Sequence, residues 1–307
     1  MKISDIGEIA LIRRLTKGLW LDRSVIKGAG DDTAVMEWTA KKYLLFTCDM
    51  LVEGVNFDRK RATPFRVGWK ALGRNLSDIA AMGGLARYAV VSIALPGGLD
   101  ARYADGIYRG MKELARRYRV SIVGGDVSKS DKIAIDVALI GEVEKANLVT
   151  RAGARRGDVI LVTGSVGGSA GGRHLDFTPR IREARAIVTR FKVNSMIDVS
   201  DGLLLDLWRI LEASRKGARI YQNMIPLSKG AGRFDQSVRE GEDFELLFTM
   251  GAAEARRFFR AYLAKMETPV TLIGEVMERR YGYRLVRPDG AVEMIAAGPA
   301  AKGYLHF

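Results

Sequence analysis

Read by the period of its apolar positions, the chain alternates between strand-like and helix-like segments. Lys42–Thr47 is an apolar run of strand length, with Asp49 following at its end. Thr63-Pro64, an N-cap residue and a proline at the first helical position, opens a helix. Val67, Trp69, Ala71, Leu72, Leu76 and Ile79 continue it, and Gly83-Gly84 stops it. Tyr88–Leu95 reads as a strand closed by Pro96-Gly97-Gly98, and Ala101–Tyr118 as a helix. Val120–Val123 reads as a buried strand delivering Gly124-Gly125-Asp126, and Ile133–Val143 as another strand. Near Glu144 the pattern restarts. The turn-rich stretch Arg151–Asp158 leads into a strand at Val159–Thr163 and a glycine-rich loop at Gly164–Gly172. Helices around Glu183–Phe191 and Leu203–Ser214, with strands at Glu245–Met250 and Val270–Val276, fill the rest. The pattern predicts two α/β units, residues 1–144 and 145–307.

Composition narrows the chemistry. A chain of 307 residues, 48% hydrophobic, is long enough for two ordinary domains. It holds no apolar stretch near the roughly 20 residues that span a bilayer. Met1–Ala10 has acids where a signal peptide would be basic and then apolar, so a cytoplasmic protein without a membrane partner is expected. The single cysteine, Cys48, excludes an internal disulfide and a cysteine-rich zinc site. With His174 and His306 the only histidines, histidine-based catalysis is not expected either. The net charge of +13 is spread over segments such as Ala115–Arg119 and Arg180–Arg185, which read as solvated helix faces. A nucleic-acid surface would concentrate that charge among aromatics, whereas a polyanionic small substrate is compatible with the spread.

Against this basic background, acids recur at the ends of apolar runs: Gly30-Asp31-Asp32, Thr47-Cys48-Asp49, Asn75-Leu76-Ser77-Asp78, Gly124-Gly125-Asp126 and Asp198-Val199-Ser200-Asp201. Singly, each reads equally as a turn residue or an exposed acid. Asp78 falls in the last turn of its helix, where the macrodipole disfavours an anion by ~0.3–1 kcal/mol. Asn75 stands one turn earlier on the same face. Asp49 and Asp126 each follow a strand-like run, which predicts convergence at one sheet edge. Together the set reads as an all-oxygen site for Mg²⁺, whose shell is usually completed by substrate phosphates, and hence as phosphoryl-transfer chemistry. The loop Gly164–Gly172 lacks the Gly-Lys-Ser/Thr ending of a P-loop, yet can present backbone N–H groups to an anion.

Taken in order, Gly30–Ala34, Thr47–Val55, Asn75–Gly83, Gly124–Asp126, Val162–Gly164, Ile197–Gly202 and Gly241–Leu246 closely resemble the thiamine-monophosphate kinase family. That family lies within the aminoimidazole ribonucleotide synthetase superfamily, and the resemblance runs to the closing Gly303–Phe307. It implies an α/β (α+β) two-domain fold whose N-terminal sheet pairs with a second subunit's into a barrel, with the C-terminal unit covering the substrate site. It also implies a homodimer that transfers the γ-phosphoryl of ATP to thiamine monophosphate, giving thiamine diphosphate. By position, Asp32, Thr47, Cys48, Asp49, Asp78, Asp126, Asp198 and Asp201 would hold several Mg²⁺ ions, Cys48 as a small buried residue through its carbonyl. Tyr108, Gly125, Asp126, Arg151 and Ser200 would contact ATP. Asn56, Glu242, Asp243 and Tyr304 would border the thiamine, and Asp49, Asp126 and Arg151 would serve catalysis.

The attacking group would be a phosphate oxygen already deprotonated near neutral pH, so the reaction needs no general base and transfer is expected without a phosphoenzyme. One departure stands out. Where the family commonly has Val-His-Phe, this chain has Val55-Asn56-Phe57, and Asn cannot become cationic. Other superfamily enzymes fit less well: there is no cysteine in the N-terminal segment as in selenophosphate synthetase, and none at the C-terminus as in the hydrogenase-maturation relative. A non-catalytic basic nucleotide- or nucleic-acid-binding protein is the alternative from another class.

Overall fold

The computed structural model describes residues 2–261 and 266–296; Tyr304 and His306 lie outside the described residues. Two helices, α1 (Ile3–Ile6) and α2 (Glu8–Thr16), precede a six-stranded sheet. Its strands are β1 (Val25–Lys27), β2 (Ala34–Glu37), β3 (Lys42–Val52), β4 (Leu85–Leu95), β5 (Ser121–Lys129) and β6 (Ala134–Glu144), in the order β1-β2-β3-β6-β4-β5. Helix α3 (Pro64–Ala81) joins β3 to β4, and α4 (Ala101–Tyr118) joins β4 to β5. A seven-stranded sheet follows, made of β7 (Asp158–Thr163), β8 (Ser195–Asp198), β9 (Lys216–Tyr221), β10 (Leu246–Gly251), β11 (Val270–Glu278), β12 (Tyr283–Val286) and β13 (Val292–Met294). Its order is β13-β12-β9-β11-β7-β10-β8, with helices α5 (Ile181–Val188), α6 (Leu203–Ser214), α7 (Phe234–Ser237) and α8 (Ala252–Ala261). Among the pairings of these strands only β4 with β5 and β9 with β12 are parallel. No described helix is long and apolar enough to cross a membrane.

Two strand expectations change in ways that matter for the site. β3 continues past Thr47 to Val52, so Asp49 lies inside the strand rather than after it. The period-2 alternation simply persists: Leu45, Thr47, Asp49 and Leu51 share the helix-covered face, while Phe46, Cys48 and Met50 share the other. β5 is not buried. It is the edge strand, and Val123 and Val127 are 62% and 71% exposed because no further strand covers them. The second face of this sheet is open as well, leaving Phe46, Met50, Tyr88 and Val90 exposed.

Helix α3 is where both units meet. Its start follows from Thr63, whose hydroxyl accepts the Arg66 N–H at 3.3 Å, and from Pro64 at the first helical position. Leu72, Leu76 and Ile79 are fully buried, in one core with Ile187, Met196 and Phe248 of the second unit. Trp69 donates its indole N–H to the Phe177 carbonyl at 2.7 Å, and Arg185 reaches back to the Gly83 carbonyl at 2.8 Å and the Glu144 carboxylate at 2.7 Å. On its other side α3 lies so close to α4 that Cβ atoms at Gly68 and Gly110 would fall 1.8 Å and 1.9 Å from the carbonyl oxygens of Ile107 and Phe65.

This backbone-to-backbone approach leaves no flexible side chain to yield. Gly68→Ala or Gly110→Ala should each cost about 1–3 kcal/mol or more, as overpacking does. Urea denaturation followed by circular dichroism would read this as a lowered midpoint; an unchanged midpoint would show that the two helices separate at little cost.

Candidate active site

Four segments meet at the C-terminal end of α3. The loop before β2 brings Asp31 and Asp32, β3 brings Thr47 and Asp49, the last turn of α3 brings Asp78, and the end of β8 brings Asp198, followed by Ser200 and Asp201. They line one cleft of about 600 Å³. At its base Asp32, Asp78 and Asp198 each offer a carboxylate oxygen within 4.8 Å of the others. Thr47 donates its hydroxyl to Asp78 at 2.6 Å, and Ser77 donates to Asp198 at 2.6 Å. These two hydroxyls are the neutral part of the site, and Ser77 was not among the residues expected from sequence.

The electrostatics are those of a cation site. Burial, then repulsion from Asp49, Asp198 and Asp32, raises the Asp78 carboxyl well above its ordinary range. Burial and Asp32 raise Asp198 in the same way, against the hydrogen bond from Ser77. Asp49 is raised by burial although Arg74 opposes it, and Asp31 is raised by burial and by Asp32. The Oδ2 of Asp32 is buried without a hydrogen-bond partner. A buried carboxylate oxygen left bare beside two others is expensive unless a cation takes it, and all-oxygen ligation suits Mg²⁺. The donor set therefore fits the ion.

Three arginines rim this core. Arg151 donates its backbone N–H to Asp31 at 3.0 Å and its guanidinium to Asp32 at 2.6 Å. Arg74 reaches Asp49 Oδ1 at 3.1 Å. Arg209 holds Asp201 at 2.5 Å and Asp206 at 2.8 Å. Asp206, from the first turns of α6, is a further residue that sequence reading passed over. It accepts the Asp201 N–H at 2.9 Å, and burial pushes it up to about 7 despite Arg209.

Beneath the cleft lies a second polar centre. Lys70, fully buried one turn before Arg74, donates to the Asn56 carbonyl at 2.6 Å, meets Glu242 Oε1 at 2.6 Å and lies 2.7 Å from His174 Nδ1. His174 Nδ1 is also 3.0 Å from Glu242 Oε2. Burial lowers the Lys70 ammonium to about 8 against the pull of Glu242. Glu242, whose burial alone would raise it, is held down to about 2 by His174 and Lys70. Both Glu242 oxygens are thus occupied within the chain, in a left-handed backbone (φ 66°) fixed by its N–H to the Ser200 carbonyl at 2.7 Å. Asn56 is buried too. Its Oδ1 accepts the Val52 N–H at 2.9 Å, which leaves only Nδ2 unpartnered.

Several expected residues lie elsewhere. The buried Asp243 carboxylate accepts the Gly167 N–H at 3.0 Å and the Ser169 hydroxyl, and pairs with Arg173. Burial raises it to about 6 against those bonds. It buttresses the glycine-rich loop instead of facing the cleft. The loop's own N–H groups at Gly167 and Gly168 point to Asp243 and Glu240, not to an incoming anion. Cys48 does belong to the lining of the cleft, but it is exposed, not buried, because strand alternation turns its side chain to the open face. Asp126 pairs across β4 and β6 with Ser92, Asp136 and Met50, on the face opposite Asp49. Three strand spacings, about 14 Å, separate it from β3. The antiparallel insertion of β6 is why the expected convergence of Asp49 and Asp126 fails within one chain. Tyr108 lines a separate cavity of about 600 Å³ with Lys112, Arg116 and Gly124, beside Gly125 on the same edge strand.

Comparison with known proteins gives this arrangement a family. Residues 30–143 match the model for the N-terminal domain of AIR synthase related proteins, and residues 155–286 match the model for their C-terminal domain. The thiamine-monophosphate kinase of Rhodopirellula baltica is 37% identical over 290 residues, covering 88% of this chain and 89% of its own. That of Bacillus subtilis is 33% identical, covering 98% and 100%. Among solved structures, AaThiL complexed with AMPPCP and TMP superposes with a TM-score of 0.83 at 33% identity, covering 100% of this chain and 99% of that one. The hydrogenase maturation protein HypE in complex with ATP, at 20% identity and a TM-score of 0.69, shares the fold. The chain therefore belongs to the thiamine-monophosphate kinase family of AIR synthase related proteins.

Proposed function

We propose that this protein transfers the γ-phosphoryl of ATP to thiamine monophosphate, giving thiamine diphosphate and ADP. The observation that carries the reading is the meeting of Asp32, Asp78 and Asp198 within 4.8 Å, drawn from both units, with Asp32 Oδ2 buried and without a hydrogen-bond partner. Asp32, Asp49, Asp78, Asp198 and Asp201, with Thr47, would hold Mg²⁺. The bound ions would neutralise two polyanions and align their oxygens for in-line displacement. An acceptor phosphate oxygen forms the new bond to Pγ, and the bridging Pγ–O bond breaks with its electron pair leaving on ADP. No proton has to move. This suits a cleft whose described lining holds no histidine. Arg151 would bind nucleotide phosphate from the Asp31/Asp32 side, and Ser200 lines the same cleft.

The reading extends to a cytoplasmic homodimer, with residues 1–144 forming the nucleotide, Mg²⁺ and dimer unit and residues 145–307 covering the acceptor. Phe46, Met50, Tyr88 and Val90 leave an apolar sheet face without cover. Asp126, Gly125 and Tyr108 sit at the far edge of that sheet. They would complete the cleft around β3 only if supplied by a second copy. Sedimentation equilibrium should accordingly return twice the 33.8 kDa chain mass, and a stable monomer would remove Asp126 from the site.

Purified protein given ATP, Mg²⁺ and thiamine monophosphate should form one thiamine diphosphate per ADP, with no product in EDTA and no label on the protein after quenching with γ-labelled ATP. Absence of product despite MgATP binding would overturn the assignment of acceptor, and a trapped phosphoprotein would overturn direct transfer.

The cluster also sets a pH dependence. Asp78 has a folded pKa above its unfolded 3.8, so the folded state binds the extra proton, and the stability it contributes is present at low pH and lost as pH rises toward the folded value. Without metal, Asp78→Asn should therefore melt higher than the parent at pH 7, by about 1.5 °C for each kcal/mol of repulsion relieved, with the gap closing toward pH 4. Added Mg²⁺ should raise the parent's melting temperature more than the variant's. Equal responses in differential scanning fluorimetry would argue that Asp78 does not bind the ion.

A further inference from the structure

We propose that Arg74 binds the phosphate of the acceptor, supplying from α3 the positive charge that Asn56 cannot. The inference rests on the acceptor being a phosphate monoester, as above. Lys70, Arg74 and Asp78 are spaced four residues apart and so form one stripe along α3, each step rising about 6 Å. At one end of the stripe Lys70 holds Asn56 and Glu242; at the other Asp78 joins the acidic cluster. A substrate whose body rests against the Asn56 and Glu242 segments, and whose phosphate must reach the cluster to attack Pγ, passes its phosphate over the level between them. Arg74 occupies that level.

The side chain is built for exchange rather than for a fixed bridge. It is 15% exposed and borders the cleft. Its guanidinium makes one bond to Asp49 at 3.1 Å and one at 3.4 Å to the Met50 carbonyl, while its buried Nε has no partner at all. The acids that act on it most are those of the site, Asp49, Glu242, Asp78 and Asp201, and Lys70 is the neighbouring cation. Once Asp49 and Asp78 are engaged by Mg²⁺, the hold of Asp49 on Arg74 weakens. The planar fork with its free Nε–H is then available to two phosphate oxygens at once, which is the geometry in which arginine binds phosphate most strongly. Asn56 is poorly placed for the same task, since its Oδ1 is spent on Val52 and its one free group is a neutral amide.

Arg74→Met and Arg74→Gln in the full-length protein test this. The KM for thiamine monophosphate should rise roughly 10- to 100-fold, as expected for a lost charge-assisted contact, while the KM for ATP stays within about twofold. Arg74→Lys, which keeps the charge but not the fork, should recover only part of the loss. Calorimetry with Mg²⁺ and a non-hydrolysable ATP analogue adds a readout independent of turnover: the variants should lose affinity for thiamine monophosphate but bind free thiamine as the parent does. Equal losses for both ligands, an unchanged KM for the monophosphate, or a parallel rise in the KM for ATP would overturn the proposal. If the parent itself makes no thiamine diphosphate, the kinase reading fails, whereas the phosphate-dependent difference in binding still decides the role of Arg74.

Discussion

Everything in this molecule is arranged around an unfavourable interaction: three carboxylates, Asp32, Asp78 and Asp198, crowded within 4.8 Å of one another. At an effective dielectric constant of about 20, each ionised pair at that distance repels by about 3–4 kcal/mol, several times the worth of an exposed salt bridge. The hydroxyls of Thr47 and Ser77 relieve one oxygen each, and Arg151 relieves Asp32 on one side only. A fold that keeps such a cluster either protonates it or admits a divalent ion. At neutral pH the ion does better, because it satisfies several oxygens at once where a proton satisfies one.

Helix α3 concentrates the problem and the means of handling it. Its last turn places Asp78 where the helix dipole is already negative, which adds to the repulsion. One and two turns earlier on the same stripe it places Arg74 and Lys70, so charge alternates along the helix from anion to cations. The helix can be this precise only because it is clamped on both sides. Gly68 meets α4 backbone to backbone, and Trp69, Ser77 and the Arg185 bond to Gly83 tie it to the second unit. A displacement of about 1 Å here would separate ligands delivered by different units, and errors of that size are enough to weaken catalysis strongly.

What the sequence made legible follows from which forces act locally. α3 and α4 could be read nearly to the residue because caps, proline and glycine act within one turn. Asp78 could be singled out because an acid at a helix C-terminus is locally wrong. The misreadings have non-local causes. β5 looked buried because Ile122 and Val123 are apolar, yet burial depends on what packs against an edge strand. Asp126 was expected beside Asp49 since both follow apolar runs, but the intervening strand order and the facing parity belong to the sheet. Asp243 and Glu242 are neighbours in one motif and were read together. The left-handed turn at Glu242 and Phe244 sends one to Lys70 and His174 and the other to the glycine-rich loop. β8 is four residues long and gives no periodic signal, although it carries Asp198.

The division of these acids between the two units has a thermodynamic consequence. Asp32, Asp49 and Asp78 belong to the first sheet and its helix, whereas Asp198 and Asp201 stand at the end of β8 and the start of α6. Without a cation, their repulsion opposes docking of the units, and the buried pair Lys70–Glu242 and the partly exposed pair Arg185–Glu144 hold against it. An ion bound by acids from both sides binds the docked state and not the separated one, so it reverses the sign of the interaction across the same surface. On the proposed function, loading would order the cleft, and the acceptor's phosphate would meet a surface whose acids are neutralised and whose Arg74 is released.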